Sequence, residues 1–131
     1  MKRRVAREKA LQALFQVDVG QVNAEEALQN VIQKEKADEY LKQLLFGTVN
    51  HLQEIDEVIK QHLEKWSFDR LAKVDRNILR LAVYEMKYIE DVPVNVSINE
   101  AVELAKIFGD ERSNKFVNGV LSKVKETIHS N

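Results

Sequence analysis

Asp75-Arg76-Asn77-Ile78-Leu79-Arg80-Leu81-Ala82-Val83-Tyr84-Glu85-Met86-Lys87-Tyr88 decides the fold. Ile78, Leu79, Leu81, Ala82, Val83 and Met86 cover more than one face when wound at 3.6 residues per turn, and a helix apolar on several faces is a buried one. The stretch predicts a central helix packed on most sides by others, with Arg76, Arg80, Tyr84 and Lys87 as its one polar edge. Asp91, Val92 and Pro93 end it. Pro93 to Val96 then reads as extended, because proline cannot continue a helix.

Outward from that centre the chain is helical in both directions. Downstream, Ser97-Ile98-Asn99-Glu100 has the form of a capping box, with Ser97 at the N-cap. It opens a helix through Leu104 and Phe108 that Gly109 closes. A last helix, about 111–128, buries Val117, Val120, Leu121 and Val124. Upstream, a turn at 67–71 follows a long helix over about 38–65. Its stripe is Leu41, Leu44, Leu45, Thr48, Leu52, Ile55, Ile59, Leu63 and Trp66, and Gly47 inside it marks close packing. The first helix, 3–19, has Val5, Ala6, Ala10, Ala13, Leu14 and Val17 on its inner face. Gly20 caps it in the left-handed conformation, and Asn23 with Glu26 opens a second helix over about 24–34. No repeat, low-complexity tract or linker interrupts the pattern. The prediction is one all-α domain over residues 1–131, a bundle of six to seven helices with short loops.

Composition narrows the function classes. With 131 residues, 44% hydrophobic, the chain can bury a core without a metal or disulfides. It has no Cys, which excludes a disulfide scaffold, thiolate metal sites and a Cys nucleophile. Gln12, Gln16 and Asp18 interrupt the apolar run a secretory signal needs, and no window approaches the ~20 apolar residues of a membrane span. A soluble, cytoplasmic protein is the expectation. No catalytic residue, metal site or cofactor is expected either. His51 and His62 are eleven residues apart, roughly 16 Å along a helix. The four glycines match no nucleotide-binding fingerprint. The carboxylates at Glu25/Glu26 and Glu54/Asp56/Glu57 read as solvated helix faces.

The net charge of −1 hides a segregation. Residues 1–9 carry five basic side chains against one acidic, a balance of +4. Residues 10–109 carry eleven against seventeen, a balance of −6, and residues 110–131 carry four against three. Arg3, Arg4 and Arg7 stand at i, i+1 and i+4 on the first turns, with Lys2 extending the set. Guanidinium groups in that array suit a phosphate backbone, although they oppose the dipole at a helix start. The segment Ser113-Asn114-Lys115-Phe116-Val117-Asn118-Gly119-Val120-Leu121 holds amides that can read bases, an aromatic that can stack and a lysine for phosphate. The plainer reading of Phe116, Val120 and Leu121 is core, with Gly119 allowing tight helix approach.

These residues carry a resemblance. Arg3-Arg4-Val5-Ala6-Arg7-Glu8-Lys9-Ala10-Leu11-Gln12-Ala13-Leu14-Phe15, then Ile98-Asn99-Glu100-Ala101-Val102-Glu103-Leu104-Ala105-Lys106 with Phe108-Gly109, then Lys115-Phe116-Val117-Asn118-Gly119-Val120-Leu121 resemble the NusB family of bacterial transcription antitermination factors. Val74-Asp75-Arg76 through Leu79-Arg80 to Tyr84-Glu85 supports the match, which spans essentially the whole chain. A similar domain opens a ribosomal RNA cytosine methyltransferase. This chain has neither Cys nor a SAM-binding fingerprint, so the free-standing factor is the better match.

The resemblance implies an all-α fold of about seven helices in two packed sub-bundles. It also implies binding of boxA RNA beside the ribosomal protein NusE, within an RNA polymerase antitermination complex, and a homodimer is a further state it allows. By position it puts Lys2, Arg3, Arg4 and Arg7 on RNA phosphates and adds Lys115, Phe116 and Asn118 to the RNA surface. Phe15, Asp75 and Arg76, with the exposed side of the central helix, fall toward NusE. Two expectations compete for share: an RNA-binding adaptor, or an acidic body that recruits a basic partner which itself holds the RNA.

Overall fold

The computed structural model describes residues 1–65 and 67–129, and among them all regular structure is helical. The helices are α1 (Arg3–Val19), α2 (Ala24–Ile32), α3 (Glu39–Asn50), α4 (Leu52–Gln61), α5 (Lys73–Tyr88), α6 (Val94–Phe108) and α7 (Ser113–His129), with a 3₁₀ turn at Phe68–Arg70. Trp66, assigned above to the third helix's stripe, and the side chain of His129 lie outside the described residues. No described helix is long and apolar enough to cross a membrane.

The helices form two sub-bundles. α1, α2 and α3 pack on one another, while α4, α6 and α7 surround α5, which also packs on α1 and α3. The central helix is more deeply placed than its sequence pattern suggests. Every residue from Asp75 to Met86 is buried, including Arg76, Arg80, Tyr84 and Glu85. The polar edge is therefore internal, and α5 has no exposed side over that span. α1 approaches its neighbours through fully buried Ala6, Ala10 and Ala13, small residues that permit close backbones.

Four local expectations are corrected. The long helix breaks at His51, whose φ of −114° and ψ of 21° separate α3 from α4. The His51 Nδ1 lies 2.8 Å from the Gly47 carbonyl, so the side chain enters the hydrogen-bond ladder where the chain turns from α1 toward α5. Gly20 is right-handed at φ −83°, and Gln21 takes the positive φ of 56° instead. α6 starts at Val94, not after Ser97. The Pro93 carbonyl accepts from the Val96 and Ser97 N–H groups, and proline's fixed φ suits a helix start. Ser97 is thus inside the helix rather than its cap. Finally, Gly119 packs against nothing within 4 Å.

Other readings hold. α1 has the predicted limits, and the Asn23 Oδ1 accepts from the Glu26 N–H at 2.8 Å. A Cβ on Gly47 would come within 2.2 Å of the phenol end of Tyr84, so that glycine does mark close packing between α3 and α5.

Candidate nucleic-acid interface

α1 begins without a side-chain cap and without an acid in its first turn. The basic residues are instead neutralised from the turn between α5 and α6, by Asp91, and from α6, by Glu100. The Arg3 guanidinium donates to Asp91 at 3.1 Å and lies 4.4 Å from the centre of the Tyr40 ring. Arg4 donates to both Glu100 oxygens, at 3.2 and 2.7 Å, while its side chain stays 63% exposed. The Arg4 hydrogen bond is foremost in holding the Glu100 carboxyl below its ordinary pKa, outweighing burial, with the charges of Arg4 and Arg7 adding to it. Exposed ion pairs of this kind add little stability, and guanidinium donors remain to bind a phosphate. Lys2 stands exposed at the helix's edge.

Arg7 departs from the expected array. Only 6% exposed, it turns inward and donates to Glu85 at 3.2 and 2.9 Å and to Glu100 at 3.2 Å. Glu85, 2% exposed, also accepts from the Ser97 hydroxyl at 2.7 Å and from the Tyr40 hydroxyl. Burial, and then the bond to Glu85, raises the Tyr40 pKa well above its ordinary value, which keeps that hydroxyl a donor. Three helices thus converge on one carboxylate of α5. Arg7 cannot meet a phosphate from there, but it holds Glu100 beneath Arg4. Sequence reading gives Tyr40 and Glu85 no such role, and takes Ser97 and Glu100 for a capping box. The one signal was Glu85 itself, an acid within an otherwise apolar run.

The second group sits on α7. Ser113 is buried at its start, its Oγ accepting from the Asp110 N–H at 3.0 Å, and the Asp110 Oδ1 accepts from the Arg112 N–H at 2.8 Å. This closes the loop that presents Lys115, which is exposed, and Phe116, which packs partly on the core. Phe116 also walls a cavity of about 330 Å³ with Arg70, Arg112 and Asp75. Asp75 is buried there, and its Oδ1 has no hydrogen-bond partner among the described residues. Burial chiefly raises its pKa; a Ser113 hydrogen bond opposes that and the nearby Asp110 adds to it. Asn118 is exposed but two residues beyond Phe116, some 200° around the helix. It shares instead the side of Lys125, which bonds Asn95 of α6 at 2.6 Å. Phe116 and Asn118 therefore do not form one face.

The residues assigned to a protein partner gather at the same end of α5. Arg76 donates to Asp18 of α1 at 2.7 Å, Asn77 donates to Asp18 at 3.0 Å, and Arg80 bonds Asp56 of α4 at 2.8 and 2.9 Å. Both guanidinium groups lie 5.4 Å from the Phe68 ring centre. Arg76 is locked inside, so its expected outward role is corrected, and Asp56 is part of a half-buried network rather than a solvated face. Phe15, half-buried, stands one turn before Asp18. Ten residues of α5 separate Asp75 from Glu85, roughly 15 Å. The basic start of α1 and the Phe116 region thus occupy two places, not one.

Residues 4–126 match a family model described as the NusB family. The chain is 62% identical over 128 residues to the transcription antitermination protein NusB of Geobacillus kaustophilus and 58% identical over 128 residues to that of Bacillus subtilis, covering 98% of each chain in both pairs. It superposes on T. maritima NusB with a TM-score of 0.90 at 39% identity, covering 96% of this chain and 92% of that one. A crystal structure of antitermination factors NusB and NusE in complex with dsRNA gives 0.87 at 38% identity, covering 95% and 96%.

Proposed function

Because the chain belongs to the NusB family, we propose that it acts in the cytoplasm as a noncatalytic adaptor of transcription antitermination, binding boxA RNA together with the ribosomal protein NusE and joining both to the RNA polymerase complex. The observation that carries the RNA reading is the exposed set Lys2, Arg3 and Arg4, whose two guanidinium groups are braced on carboxylates of other elements at 2.7–3.2 Å. A braced guanidinium loses less side-chain freedom on meeting a phosphate. Lys115 and Phe116 add a second contact region, a cation beside a stacking face. Asn118 is a separate contact on the other shoulder of α7.

Four phosphate contacts, from Lys2, Arg3, Arg4 and Lys115, give a log–log salt slope of about −3 for single-stranded RNA. Titration of boxA RNA at several salt concentrations should return that slope, and the Arg3→Glu/Arg4→Glu double variant should flatten it by about half. A slope unaltered by the double variant removes this site from the RNA.

A second reading has a specific observation behind it. Residues 10–109 carry a balance of −6, and an acidic surface steers a basic partner. NusE binding near Phe15 and Asp75 would then supply a share of the RNA affinity. Adding NusE to the same titration measures that share, and sedimentation with and without RNA reads whether a homodimer competes for the basic face.

A further inference from the structure

Gly119 lies near the middle of α7 on its solvent side, with nothing within 4 Å of where a Cβ would be. A mid-helix glycine is less favourable than alanine, so neither packing nor propensity accounts for it. Gly47 shows the contrast, since the Tyr84 ring fills the space there. The bare backbone at Gly119 floors a groove of about 190 Å³ between α7 and the segment after α4. Leu63 and Phe116 form its apolar walls, and Lys65, Lys115 and Lys123 stand around it. Glu64 is the one acid among the lining residues, and Lys123 already pairs with it at 2.6 Å. The groove therefore carries surplus positive charge on an otherwise acidic body. Lys115 and Lys123 are eight residues apart, roughly 12 Å along the helix, which spaces them for alternate rather than adjacent phosphates of an extended strand.

Resting on the RNA-binding reading above, we propose that this groove carries the sugar–phosphate backbone of a single RNA strand past Phe116, and that residue 119 is glycine so that the strand can lie against the helix backbone. A glycine admits such an approach where any side chain would hold the strand away. Phe116 at the groove's edge offers its ring to an unstacked base, which only a single strand presents. Lys115 and Lys123 supply point charges to the phosphates.

The test compares the full chain with Gly119→Ala, Gly119→Leu and Arg3→Glu/Arg4→Glu, by thermal unfolding and by titration of a boxA RNA oligonucleotide with and without NusE. Gly119→Ala should raise the unfolding midpoint by about 4 °C, yet weaken RNA binding by about tenfold, with Gly119→Leu weaker still. A substitution that stabilises the protein while lowering affinity cannot be explained by damaged folding. Unchanged RNA affinity in both glycine variants, with the arginine variant weakened, overturns the groove and leaves the RNA reading standing. Loss of NusE affinity with RNA affinity intact also overturns it, assigning the groove to the protein partner. Absence of RNA binding by the unaltered chain, with and without NusE, overturns the underlying reading itself.

Discussion

Arg4 and Arg7 stand three residues apart on α1, yet one faces water and the other an anionic interior. The difference is depth: Arg7 is covered by α5 and α6, where Glu85 and Glu100 await it. Removing one partner of a buried pair leaves the other charge uncompensated, which costs about 3–5 kcal/mol. Arg7→Ala should therefore lower stability by about that amount in urea unfolding, whereas Arg4→Ala should scarcely move the midpoint and should act on RNA affinity. An Arg7→Ala protein as stable as its parent would show that the Glu85 cluster holds nothing. The sequence made the basic cluster legible but not this division of labour. Spacing at i and i+3 says that two side chains share a helix face, not which neighbour covers it.

At the scale of elements, the seam between α3 and α5 depends on a missing side chain. The Tyr84 ring occupies the space beside Gly47, and Tyr84 in turn stacks on Tyr88 with ring centres 5.2 Å apart. Gly47→Ala should destabilise by about 1–3 kcal/mol through overpacking, despite alanine's better helix propensity. Thermal unfolding checks this, and a double variant with Tyr84→Leu should recover part of the loss. A stabilised Gly47→Ala protein would mean that α3 and α5 can move apart freely. Helix existence was readable from periodicity and from Asn23, because those signals are local. The start of α6 was misread because the Ser97-to-Glu100 pattern mimics a cap, while the tertiary fold uses both side chains elsewhere. The break at His51 escaped because a single-residue kink leaves the apolar periodicity almost undisturbed.

For the whole molecule, two charged networks join the sub-bundles. Asp18 of α1 receives Arg76 and Arg80 of α5, and Arg7 of α1 reaches Glu85 and Glu100. Burial acts to raise the Asp18 pKa, but hydrogen bonds from Arg76 and Asn77 and the charges of Arg80 and Arg76 outweigh it, so the net shift is downward. Glu100 is also held low. A carboxyl with a depressed native pKa stabilises the fold above its unfolded pKa and loses that contribution as pH falls through the native value. Acid titration should thus reduce stability from the ordinary carboxylate range downward, and Asp18→Asn should flatten that fall as read by circular dichroism. An unaltered pH profile would count against Asp18 as a tie between the halves.

The counter-charges of the first helix also set an order of events. Asp91, Glu85 and Glu100 lie 88, 78 and 93 to 96 positions after the arginines they meet. A nascent chain therefore exposes its cationic arm, without those partners, until α6 has been synthesised. The braced form of Arg3 and Arg4 becomes available only when the distant helices have closed around α5, so the pre-ordered array of guanidinium groups is a property of the completed fold and not of the arm alone.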